Sequence, residues 1–212
     1  MGGALVMVKA SCRGTMPAMS KHQHQARKRF GQNFLQDDRV IDSIVRAINP
    51  LPEEHLVEIG PGQGALTQQL SASGCELDVI ELDRDLVPGL LAAFSVNPRF
   101  KLHSADALKF DFNSLVQNTR PLRVVGNLPY NISTPLIFKL LENTAIIRDM
   151  HFMLQLEVVD RLAAKPGNKD WGRLGIMAQY HCEVEKLFEV PPEAFNPRPR
   201  VQSAIVRLAP WT

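Results

Sequence analysis

Between His55 and Ala72 the chain switches hydrophobic period once, across a loop with three glycines, and that switch limits the folds open to it. His55 to Ile59 is an apolar run of strand length, and Ala65 to Ala72 has helical spacing. Gly60-Pro61-Gly62-Gln63-Gly64 lies between them, and its glycines let the backbone turn sharply and come close to a ligand. The same alternation then repeats. Strands are predicted at Leu77–Glu81, Phe100–His103, Leu122–Val125, Met150–Gln155, Lys186–Val190 and Ser203–Leu208. Helices are predicted at Arg84–Phe94, Pro135–Glu142, Glu157–Ala164 and Arg173–Tyr180. An earlier helix runs to Ile48 behind a capping Asp37, and Pro50 and Pro52 end it. Strands that alternate with helices predict an α/β fold, a Rossmann-like sheet covered on both faces. Only a Pro-rich loop separates the last two strands, so they are expected to form an antiparallel hairpin at one edge of a seven-stranded, mostly parallel sheet.

With 212 residues the chain is long enough for one sizeable domain and short for two. A net charge of +2 does not announce a nucleic-acid binder, but the charge is unevenly placed. His22, His24, Arg27, Lys28 and Arg29 cluster near the start, and Arg198 and Arg200 sit in a Pro-rich stretch near the end. Both patches fit phosphate contacts, and each taken alone fits solvated surface charge equally well. Cys12, Cys75 and Cys182 form no Cys-x-x-Cys pair, which argues against a metal site or a disulfide framework and fits a reducing cytoplasm. No apolar run approaches the roughly 18 residues that span a membrane. Residues 1–24 read as a disordered leader, from an over-called start codon or a cloning remnant, with an organelle transit peptide the lesser alternative. Residues 25–212 read as the domain.

Glu81 ends the second strand at about the distance where a carboxylate reaches ribose hydroxyls. Gly60-x-Gly62-x-x-Ala65 also satisfies a dinucleotide pattern, so NAD is an alternative on the loop alone. The form Glu58-x-Gly-Pro-Gly-x-Gly is similar to that of class I methyltransferases, and Asp106 stands where those enzymes grip an adenine amino group. Both favour S-adenosyl-L-methionine.

After the fourth strand comes Gly126-Asn127-Leu128-Pro129-Tyr130-Asn131, at the strand end where open α/β sheets place ligands. An adenine amino group is a poor nucleophile because its lone pair is delocalised into the ring. Hydrogen-bond acceptors on its protons favour a tetrahedral nitrogen. The Asn127 side-chain oxygen offers one acceptor and the Leu128 carbonyl another, with Pro129 fixing that carbonyl's direction. Tyr130 offers a flat face for an extruded base. On its own the tetrapeptide is a turn with an aromatic; its position gives it chemical meaning. Phe195, in the loop before the last strand, reads equally as a second face of the base pocket or as a core residue, and Arg198 and Arg200 as phosphate contacts.

Lys28-Arg29-Phe30-Gly31-Gln32-Asn33-Phe34-Leu35, the glycine loop, Val79 to Asp83, Gly126 to Pro135 and Phe195 to Ser203 together resemble the ribosomal RNA small-subunit methyltransferase A family. The resemblance covers about Gln25 to Pro210. It implies a class I S-adenosylmethionine-dependent methyltransferase that converts two adjacent adenosines near the 3′ end of 16S rRNA to N6,N6-dimethyladenosine in a small-subunit assembly intermediate. It implies that Asn33 and Leu35 cover the cofactor, Gly60 and Gly62 line it, Glu81 binds its ribose and Asp106 its adenine. Asn127 would serve both cofactor and target, and Tyr130 and Phe195 would flank the target base. The protein is expected to act as a monomer, without metal. Family members usually continue into a helical C-terminal domain, absent before Thr212. Leu156 stands where the family suggests lysine, a change expected to weaken a phosphate contact and spare cofactor binding. Two further readings stay open: a 23S rRNA adenine methyltransferase of the macrolide-resistance class, and a ribosome-assembly checkpoint that binds RNA.

Overall fold

The computed structural model describes residues 32–116 and 120–211. The elements are β1 (Phe34–Leu35), α1 (Asp38–Ile48), β2 (His55–Ile59), α2 (Ala65–Ala72), β3 (Glu76–Glu81), α3 (Val87–Phe94), β4 (Phe100–Ser104), β5 (Leu122–Asn127), α4 (Tyr130–Leu141), β6 (Ile147–Gln155), α5 (Leu156–Ala163), α6 (Arg173–His181), β7 (Cys182–Val190), β8 (Phe195–Asn196) and β9 (Ser203–Pro210). Seven strands form one sheet in the order β4-β3-β2-β5-β6-β9-β7. The strands from β4 to β6 run parallel, and β9 pairs antiparallel with both β6 and β7. The expected edge hairpin is present, with its second strand inserted between β6 and β7.

The chain moves outward from β2 in one direction through β3 and β4, then returns to the other side of β2 for β5. This reversal opens a crevice at the carboxyl ends of β2 and β5, where doubly wound sheets bind ligands. The two strands pair Ile59 with Gly126, so Gly60 and Asn127 leave the sheet side by side. The approach is close: a Cβ on Gly126 would lie 2.5 Å from the Ile59 carbonyl oxygen.

Alternation along each strand feeds two cores. Val57, Ile59, Val124 and Phe152 face a layer that includes Leu136, Ile137, Leu140, Val159, Leu162 and Ala178. Leu56, Leu77, Val125 and Met153 face the other side, with Ile44, Ile48, Leu70 and Leu90. Asp37 caps α1 as expected, its carboxylate accepting from the Arg39 and Val40 amides. Leu156 begins α5 and packs against the first core, so this side chain serves packing rather than reaching outward.

Helix α4 differs from the expectation. It starts at Tyr130, not Pro135, and carries Pro135 inside it. Proline suits a first helical turn, but that place is prepared by Pro129, whose carbonyl accepts from the Ile132 and Ser133 amides. Pro135 gives no N–H to the Asn131 carbonyl. Buried Leu136, Ile137 and Leu140 hold the helix on the sheet regardless.

Candidate functional site

One cleft collects nearly every residue singled out in the described chain. Asn33, Leu35, Gly60, Gly62, Glu81, Asp106, Asn127, Leu128, Pro129, Tyr130 and Phe195 all line it. Its floor is the Gly60–Gly64 turn. Gly60, Gly62 and Gly64 all have positive φ, a conformation that side-chain-bearing residues rarely adopt. At Gly62 a Cβ would also meet the Phe34 ring at 3.1 Å.

Glu81 is fixed by backbone donors. Its Oε2 accepts from the Gly62 amide at 3.2 Å and its Oε1 from the Asp83 amide at 2.7 Å. Burial nevertheless pushes its carboxyl above the ordinary carboxylate range. Each oxygen keeps a lone pair directed elsewhere. Asp106 resembles it: Oδ1 accepts from the Leu108 amide at 2.9 Å.

Asn127 ends β5, and its Nδ2 donates to the Asn33 carbonyl at 3.2 Å. That bond commits the amide nitrogen and leaves Oδ1 as the acceptor end. The Leu128 amide donates to the Met153 carbonyl at 3.2 Å, holding the turn to the neighbouring strand. Tyr130 is half-buried, and burial raises its phenol, with Ser203 at the start of β9 acting in the opposite direction. Phe195 is a core residue at the edge of the cleft. It is buried with Leu35, Val190 and Ile205, and it also lines the cleft.

A two-stranded sheet absent from the expectations makes this possible. Leu35 pairs with Phe195, and Phe34 with Asn196. The pair carries the segment after Gln32 over the glycine turn, where Gln32 Nε2 donates to Asp83 Oδ2 at 2.9 Å. Sequence reasoning passed over Gln32, Phe34, Asp83 and Ser203. A two-residue strand has no readable period, so only the polar Gln32 gave a local hint.

The arginines are not in the cleft. Arg198 is exposed and pairs with exposed Glu193 at 3.2 Å, a pair worth little in water. Arg200 is also exposed. Arg27, Lys28 and Arg29 lie outside the described residues. Among the described residues no helix is long and apolar enough to cross a membrane. Among the described residues the one acid–histidine group with metal-ligand proximity is His55, Glu76 and Asp78. Asp78 accepts from His55 at 2.6 Å and from His103; burial alone would raise its carboxyl, but the two imidazole donors outweigh it and hold the carboxyl at about 2. Zinc bonds of about 2.0–2.2 Å would hold two tetrahedral ligands farther apart than 2.6 Å, so the contact is a hydrogen bond.

The charge of the cleft decides between the two cofactors. Four carboxyl groups line it, from Glu58, Glu81, Asp83 and Asp106, and no Lys, Arg or His does so among the described residues. The Gly62 amide, which could greet a phosphate at the head of α2, is turned to Glu81. A pyrophosphate would enter without a counter-charge, which disfavours NAD. A sulfonium cation suits the same cleft.

Residues 23–212 match a family model described as ribosomal RNA adenine dimethylase. A curated relative from Pseudomonas savastanoi pv. phaseolicola, ribosomal RNA small subunit methyltransferase A, is 68% identical over 191 residues, covering 90% of this chain and 71% of the relative. The protein of that name from Pseudomonas aeruginosa is 66% identical over 190 residues, with 90% and 71% covered. Among solved structures, a dimethyladenosine transferase from Plasmodium falciparum has a TM-score of 0.74 at 29% identity, covering 84% of this chain and 63% of that one. The 23S rRNA methyltransferase ErmE has a TM-score of 0.75 at 29% identity, covering 85% and 70%.

Proposed function

The chain belongs to the ribosomal RNA adenine dimethylase family and uses S-adenosylmethionine as methyl donor, and from that premise we propose that it dimethylates N6 of two adjacent adenosines near the 3′ end of 16S rRNA in a small-subunit assembly intermediate. The cofactor supplies a methyl group already activated on a sulfonium, so the protein's task is largely placement.

The observation that carries the reading is the pinned amide of Asn127. With Nδ2 held by the Asn33 carbonyl, Oδ1 accepts a hydrogen bond from one N–H of the target amine and the Leu128 carbonyl from the other; in the second transfer one of the two holds the single N–H that remains. The nitrogen lone pair then leaves conjugation and points at the methyl group. The proton lost with each methyl transfer passes to solvent. On the cofactor side, Glu81 takes the ribose hydroxyls with its remaining lone pairs and Asp106 takes the adenine amino group. Gly60 and Gly62 admit the methionine end, and Asn33 and Leu35 close over it. Arg27, Lys28, Arg29, Arg198 and Arg200 contact RNA phosphates. The enzyme acts as a monomer in the cytoplasm, which the free, buried thiols of Cys75 and Cys182 support.

The macrolide-resistance reading finds a structural relative in ErmE at the same 29% identity as the dimethyladenosine transferase. The test offers labelled cofactor with assembly intermediates of each ribosomal subunit. Label should enter the small subunit, and Asn127→Ala should reduce it about 100-fold or more, as loss of one transition-state hydrogen bond does elsewhere. Label in the large subunit only would refute the substrate. An Asn127→Ala variant of undiminished activity would refute the site.

A further inference from the structure

Of the four carboxyls lining the cofactor cleft, Glu58 stands apart. Glu81 accepts two backbone amides, Asp83 the Gln32 side chain and the Asp85 amide, and Asp106 the Leu108 amide. Glu58 is 2% exposed and receives one donor among the described residues, the Thr67 hydroxyl at 2.7 Å. Among the described residues no cation lines the cleft to compensate it. The titratable groups facing the cleft are Glu81 and Asp83 from the end of β3, Asp106 after β4 and Tyr130 from α4; α2 offers only Thr67, and β1 none. Burial, less the Thr67 bond and with added repulsion from Glu81, pushes the Glu58 carboxyl up to about 7.

The cofactor brings a sulfonium, an ammonium and one carboxylate, a net positive charge. A carboxylate buried in low dielectric gains most from such an arrival. We propose that Glu58 is the proton-exchanging group of this cleft: it carries a proton before the cofactor binds and releases it to solvent as the cofactor's positive charge enters. This rests on the cofactor placement proposed above. The sense of the linkage follows. Below about pH 7 a proton must leave before the charge is welcomed, so affinity weakens by up to about tenfold per pH unit; above it, affinity levels off. S-adenosylhomocysteine, with an uncharged sulfur, releases fewer protons.

Calorimetric titration of the 212-residue protein with S-adenosylmethionine at pH 7, in phosphate and in Tris, counts the protons. About half a proton per cofactor should be released, and none by a Glu58→Gln variant that still binds. Identical enthalpies in the two buffers, or undiminished release by Glu58→Gln, would overturn the proposal while leaving the cofactor site standing. Absence of binding heat together with failure to bind labelled cofactor would overturn both. Should Glu58→Gln fail to fold, infrared difference spectra of the unaltered protein decide instead. A protonated-carboxyl band should vanish on cofactor addition, and its persistence would contradict the proposal.

Discussion

A methyl group at position 126 has nowhere to go. It would stand 2.5 Å from the Ile59 carbonyl oxygen and 3.1 Å from Leu128 Cδ2, between the two strands whose ends form the cleft. Gly126→Ala should destabilise the protein by about 1–3 kcal/mol, read as a fall of several degrees in melting temperature, with weakened cofactor binding. Gly89 is the control. It is exposed in α3, without a positive φ, and a Cβ there meets nothing within 4 Å. Gly89→Ala should raise stability by about 0.5–1 kcal/mol. Equal melting shifts for the two variants would refute this account of the strand contact. At this scale the sequence was most readable where chemistry dictates residue type. Asn127, Tyr130 and Glu81, read from what an amine, a base and a ribose require, and Asp106, read from a likeness to class I methyltransferases, all line one cleft. The elevated Glu58 carboxyl was not readable, because it depends on burial and on a neighbour 23 positions away that only the fold brings near.

Local signals of period and capping carry the elements. The strand His55–Ile59 and the helix Ala65–Ala72 have the bounds their patterns predict. The β1–β8 pair was invisible because it joins Leu35 to Phe195 across most of the chain with two residues on each side. Also unread was the polar anchor between α1, β5 and β6. Arg123 is buried, forks onto Asp149 at 2.9 and 3.1 Å, meets Glu54 at 2.6 Å, and donates to the Ile48 carbonyl at the end of α1. Removing Asp149 leaves Glu54 as the remaining carboxylate on Arg123 and strands buried guanidinium donors. Asp149→Ala should cost about 1–3 kcal/mol in urea unfolding, and no measurable cost would show that water relieves the arginine. Next to this anchor His151 is buried, with neither ring nitrogen hydrogen-bonded among the described residues, and burial pushes its imidazole down to about 4. A base depressed in the folded state keeps its stability above its unfolded value, near 6.5, and loses it as pH falls toward 4. The loss should approach about 3 kcal/mol, and His151→Phe should lessen it. Melting curves of wild type and His151→Phe that stay parallel from pH 7 to pH 4 would contradict this.

At the scale of the whole molecule, alternation of strands and helices foretold a parallel sheet but not its order. The reversal at β2 and the insertion of β9 between β6 and β7 are decided by packing of distant segments. That order places the glycine turn beside Asn127 and makes one cleft from segments about 160 residues apart, Asn33 to Phe195. It also gathers four carboxyl groups with no facing cation among the described residues, a charge pattern set by topology rather than by any motif. The proposed outcome is a cleft that suits a sulfonium and, against it, an amide whose pinned nitrogen leaves its oxygen to draw on an amine. The most direct measurement of that claim is mass analysis of adenosines in small-subunit RNA before and after incubation with this protein and S-adenosylmethionine. The account predicts that N6,N6-dimethyladenosine appears at two adjacent positions near the 3′ end of 16S rRNA, and not with Asn127→Ala. Unmodified adenosines there, with an active cofactor-bound protein and the modification found in 23S rRNA instead, would contradict it.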